Sequence, residues 1–82
     1  MSEYNWSQEK NLLLYLNRGI TFEEIVAALE AGLILGHIDQ PKKVHQKILI
    51  VEINGYPWDV PYLIQEDGTK FLKTAFPNRK RK

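Results

Sequence analysis

The chain has no cysteine, which excludes a disulfide framework and a thiolate metal site and fits a reducing compartment. No apolar run approaches the roughly 18 residues that a membrane-spanning helix needs. The opening Met-Ser-Glu-Tyr-Asn is polar and has no signal-peptide apolar stretch, so a cytoplasmic protein is expected. There is no phosphate-binding P-loop, no Rossmann glycine fingerprint, no HExxH and no serine in a nucleophile elbow. The two histidines, His37 and His45, fall in different elements at a spacing that does not suit a metal. Neither a metal nor another cofactor is therefore expected.

What is present suits one small globular domain. The 82 residues are 44% hydrophobic and 11% aromatic, well away from disordered composition. A domain of this size buries only about 60% of its unfolded surface. The net charge of +1 hides an asymmetry: residues 1–41 sum to −4 and residues 42–82 to +5. Six of the eleven basic residues lie between Lys70 and Lys82. Such a split points to an acidic or nucleic-acid partner for the basic half, or to a solubilising tail.

Two helices open the chain. Ser7 is a good N-cap, Glu9 sits in the first turn, and Gly19 supplies a left-handed stop, which predicts a helix over residues 7–18. Thr21-Phe22-Glu23-Glu24 reads as a capping box, with Glu24 reaching back to the Thr21 amide and Ile20 and Ile25 forming the hydrophobic staple. Phe22, Ile25, Val26 and Leu29 share a face, and Gly32 closes the second helix.

From Leu33 the period shortens to two. Strands are expected over 33–38, 47–53, 56–64 and 69–76, with Asn54-Gly55 as a type I′ hairpin turn. Pro57 and Pro61 should make the third of these irregular or exposed along an edge. The expected layout is α+β, with two N-terminal helices packed on one face of an antiparallel sheet of three to four strands. Residues 1–77 form the domain and residues 78–82 a basic C-terminal tail.

The chemistry available is basic and aromatic. Lys70, Lys73, Arg79, Lys80, Arg81 and Lys82 are candidates for phosphate contacts. Tyr56, Trp58, Tyr62 and Phe71 are candidates for stacking on unpaired bases, set against plain core packing for an alternating aromatic strand. Trp6 reads as a packing anchor. His45 stands in a polar loop, free to titrate. Lys73 lies on the strand leading into the tail, where it either meets a substrate phosphate or guards a sheet edge.

Taken in order, these residues resemble a family. Trp6-Ser7, Arg18-Gly19-Ile20-Thr21-Phe22-Glu23-Glu24, the hairpin around Asn54-Gly55-Tyr56, Val60-Pro61, Phe71-Leu72-Lys73-Thr74 and Phe76-Pro77-Asn78-Arg79-Lys80 together look like the BrnT-like toxins of bacterial type II toxin–antitoxin pairs, within the RelE-like group. The resemblance covers almost the whole chain. It implies a RelE-like fold with a twisted sheet, and a metal-independent ribonuclease neutralised by a co-encoded antitoxin, often of ribbon-helix-helix type. Such an enzyme activates a 2′-hydroxyl toward the adjacent phosphate, which needs a base, a proton donor and cations. By position, the resemblance assigns Lys73 and Arg79 to phosphate and transition-state charge, with His45 as a candidate acid or base. Lys70, Lys80, Arg81, Tyr56 and Tyr62 are the expected nucleic-acid contacts, with RNA and the antitoxin as partners. The alternative is a non-catalytic module that binds nucleic acid or protein on the same fold.

Overall fold

The computed structural model describes residues 3–39 and 46–81. The N-terminus is a short strand, β1 (Tyr4–Trp6), followed by helices α1 (Gln8–Arg18) and α2 (Phe22–Glu30). Strands β2 (Ile34–Asp39), β3 (Gln46–Ile53), β4 (Tyr56–Ile64), β5 (Lys70–Leu72) and β6 (Phe76–Pro77) come next, and Arg79–Arg81 form a single 3-10 turn.

The helix ends follow local chemistry. The Ser7 hydroxyl accepts from the Lys10 amide, and Gly19 ends α1 at φ 69 with its N–H on the Tyr15 carbonyl. The Thr21 hydroxyl accepts from the Glu24 amide at 3.3 Å. Asn11 of α1 completes the junction. Its Oδ1 accepts from the Phe22 amide at 2.8 Å and its Nδ2 donates to Glu23 Oε1 at 2.7 Å. That bond holds the Glu23 carboxyl below its ordinary value.

One sheet runs in the order β1-β5-β4-β3-β2, with β6 also on β4. The β3–β4 hairpin turns on Asn54 (φ 52) and Gly55 (φ 77), the left-handed pair that a type I′ turn requires. Two expectations need correction. The sheet has six strands, not three to four, and it is mixed: β1 lies parallel to β5, pairing Tyr4 with Lys70 and Trp6 with Leu72. Three residues at the N-terminus are too few to show a strand period, so β1 is set by its partner alone. The last predicted strand is also broken. After Leu72 the Lys73 amide still bonds the Pro61 carbonyl at 2.9 Å, but pairing resumes only at Phe76 opposite Asp59. The break lets Leu72 and Ala75 both enter the core, which strict alternation forbids.

Both helices cover one face of the sheet. Leu14, Ile20, Phe22, Ile25 and Leu29 pack on Leu49, Val51, Val60, Tyr62 and Leu72, and Trp6 stacks on Phe22 at 5.8 Å. On α1 only Leu14 is buried; Leu12, Leu13, Tyr15 and Leu16 are exposed. Among the described residues no helix is long and apolar enough to cross a membrane.

Candidate functional site

Strand register builds the site. On the helix-covered face Asp39, Lys47, Tyr62, Leu72 and Trp6 stand side by side across five strands. His37 lies opposite Leu49 on one flank of that row, and Lys70 opposite Ile64 and Tyr4 on the other. Alternation along each strand aims these side chains the same way. A polar group thus collects at one end of the sheet.

Its centre is a hydrogen bond of 2.6 Å between His37 Nε2 and Tyr62 Oη, with the rings 5.8 Å apart and tilted by 33°. Tyr62 is buried and His37 is exposed. Burial pushes the Tyr62 phenol above its ordinary value; Lys47 opposes the rise, and Asp39 and Tyr4 add to it. The phenol therefore stays protonated near neutrality, and since a phenol both donates and accepts, the direction of its bond to Nε2 follows the imidazole tautomer. Nδ1 is the ring nitrogen left for solvent or a ligand. Lys47 Nζ sits 3.1 Å from Asp39 Oδ1, an open pair that contributes about 0–1 kcal/mol and serves mainly to place a cation beside the phenol. Lys70 Nζ lies 5.7 Å from the Tyr4 ring centre. The Tyr4 phenol is itself pushed up, by burial first and then by Glu3 and Glu30. An oriented imidazole, a protonated phenol and the Lys47 ammonium can move a proton and hold an anion in one place, while Lys70 lies three strands from His37 with its ammonium over Tyr4.

The residues singled out from the sequence divide among several places. Tyr62 and Lys70 belong to this group. Tyr56 is at the other end of β4, about 20 Å away at 3.3 Å per residue. Lys73 turns to Gln46, its Nζ donating to Oε1 at 3.0 Å, and Gln46 shares the opposite face of the sheet with Leu63. Lys73 also lines a shallow cleft of about 350 Å³ with Lys10, Glu9 and Phe71. Arg79 and Lys80 are exposed on the 3-10 turn. Asn78 anchors that turn: its amide donates to the Pro57 carbonyl, its Nδ2 to the buried Asp59 carboxylate at 3.2 Å, and its Oδ1 accepts from the Lys80 amide. Arg81 closes the turn, and His45 lies outside the described residues. Among the described residues no three metal-ligating side chains come together.

The sequence reading gave no role to His37, Lys47, Asp39 or Tyr4. The alternation of β2 does put His37 on a defined face, but its meeting with Tyr62 depends on the register of two further pairings. Comparison with protein-family models, with curated proteins and with solved structures gave no match.

Proposed function

We propose that the chain is the toxin half of a bacterial toxin–antitoxin pair, a cytoplasmic ribonuclease that needs no metal and is silenced by a co-encoded antitoxin. The ordered likeness to BrnT-like toxins supports the class. The observation that carries the chemistry is the 2.6 Å His37–Tyr62 bond, with Lys47 paired to Asp39 alongside. In this reading the Nε2–H of His37 donates to the Tyr62 oxygen, and the Nδ1 lone pair accepts the 2′-hydroxyl proton, leaving an imidazolium. Lys47 holds the charge that gathers on the phosphorane, Tyr62 keeps the ring oriented, and Lys70, nearer the β1 edge, binds the RNA backbone. Lys73, Arg79 and Lys80 then guide the RNA backbone from outside the reacting group.

Inducible expression in a bacterial host, alone and beside the neighbouring reading frame, tests this, with total RNA followed over time. The expected result is arrest with RNA loss, relieved by the neighbour. His37→Ala should slow cleavage by about 10²–10⁴-fold, whereas Lys73→Ala with Arg79→Ala should weaken RNA binding and steepen neither step. Normal growth with intact RNA and a folded product would reject the ribonuclease.

A second reading, a module that binds a protein without cutting RNA, is favoured by α1. Leu12 is 59% and Leu16 67% exposed, one turn apart on the same face. Association with the neighbour's product in the absence of any RNA cleavage would select it.

A further inference from the structure

A second concave site lies at the opposite end of the sheet from the His37–Tyr62 pair. It is a cleft of about 390 Å³ between the α1–α2 junction and the β3–β4 hairpin. Buried Ile20 and half-buried Ile53 give it apolar lining, and Tyr56 and Trp58 add two rings from one face of β4. Arg18, the last residue of α1, and Glu24, in the first turn of α2, also line it. The volume is within the range of small-ligand sites, and the lining mixes apolar and polar groups.

The two charges carry the argument. Both side chains are exposed, and neither has an ion pair or side-chain hydrogen bond among the described residues. The Glu24 amide donates to the Thr21 hydroxyl, but the Glu24 carboxylate does not return the bond expected of a capping box. Arg18 and Glu24 line one cleft without reaching each other. A ligand suited to both has an anion at one end, a pair of adjacent N–H donors at the other, and a flat body between them. A guanidinium grips a phosphate with two parallel bonds. A carboxylate accepts from two adjacent donors in the same forked manner. The aromatic rings stack on a planar base.

We propose that this cleft binds an unpaired guanine nucleotide. The Watson–Crick edge of guanine offers N1–H and N2–H₂ side by side to the Glu24 carboxylate. Adenine offers an acceptor, N1, at the corresponding position and meets a carboxylate unfavourably. Arg18 takes the phosphate, and Trp58 and Tyr56 form the stacking wall. The proposal rests on the ribonuclease reading for its source of ligand, single-stranded RNA. It adds a specificity subsite well away from the reacting bond.

The test is titration of the intact protein with guanosine 5′-monophosphate, followed by tryptophan fluorescence and by backbone amide shifts. Shifts confined to residues 18–24 and 53–58 are expected, with binding about tenfold or more tighter than for adenosine 5′-monophosphate. Trp58→Phe should silence the fluorescence change, since the other tryptophan, Trp6, is stacked on Phe22. Glu24→Gln should erase the preference for guanine, and Arg18→Ala should weaken both nucleotides while leaving guanosine binding unchanged. Thermal melting of each variant confirms that it folds. No shift at millimolar nucleotide, or equal shifts with both bases that ignore Glu24→Gln, would overturn the proposal. RNA cleavage assayed in parallel separates the two ideas. Cleavage without guanine binding removes the subsite alone, and guanine binding without cleavage removes the ribonuclease alone.

Discussion

Tyr62 shows how one side chain belongs both to the core and to a polar cluster. Its ring packs with Leu49, Val60 and Leu72 while its hydroxyl reaches His37. Burial raises its folded-state value above the ordinary 10.0. A raised value means that the protonated phenol is favoured in the fold. That stability is complete below pH 10 and disappears as pH rises through the higher folded value. Phenolate absorbance during alkaline titration should therefore include a late component coupled to unfolding, and Tyr62→Phe should remove Tyr62's share of it. An unchanged profile in that variant would show that the ring, not the hydroxyl, sets the behaviour. The face that carries Tyr62 was legible from the alternation of Tyr56, Trp58, Val60, Tyr62 and Ile64. Its partner was not, because His37 lies two strands away and register is decided by long-range pairing that no local pattern encodes. Lys73 shows the opposite failure. It was expected within a strand over 69–76, but β5 ends at Leu72, and Lys73 lies in the break with its ammonium on Gln46.

The junction between α1 and α2 makes the same point for elements. Both helices, the Ser7 and Thr21 caps and the Gly19 stop were readable, since each depends on residues within four positions. Asn11 was not, because it caps a different helix from its own. Asn11→Ala should cost about 1–3 kcal/mol in urea unfolding, because it leaves the amide of fully buried Phe22 without a partner. Thr21→Ala should cost about 1 kcal/mol, the usual loss of an N-cap. The reverse ranking would mean that the inter-helix amide is dispensable. The Asn11 bond also holds Glu23 below its ordinary 4.5. A depressed carboxylate contributes stability above pH 4.5 that is lost as pH falls through the lower folded value. Glu23 is exposed, so the effect is small: Glu23→Gln should flatten the acid limb of a melting-temperature profile slightly. An acid limb as steep as the wild type's would assign the loss to other carboxylates.

At the scale of the molecule, the core joins pieces from both ends of the chain. Trp6 stacks on Phe22 and Leu72 is fully buried between them and β4. Leu72→Ala should cost about 2–5 kcal/mol, against the roughly 4–12 kcal/mol expected for a domain of this length. Thermal denaturation with a shift of less than a few degrees would show that the core collapses around the lost volume. The parallel pairing of residue 4 with residue 70 has a further consequence for biosynthesis. A ribosome delivers the chain from its N-terminus, and β1 has no strand to join until β5 has left the exit tunnel. The helices and the β3–β4 hairpin can form earlier, from local contacts. Tyr4 meets Lys70 only after every residue between them has emerged, so the Lys70 flank of the candidate site is assembled after the helices and the β3–β4 hairpin.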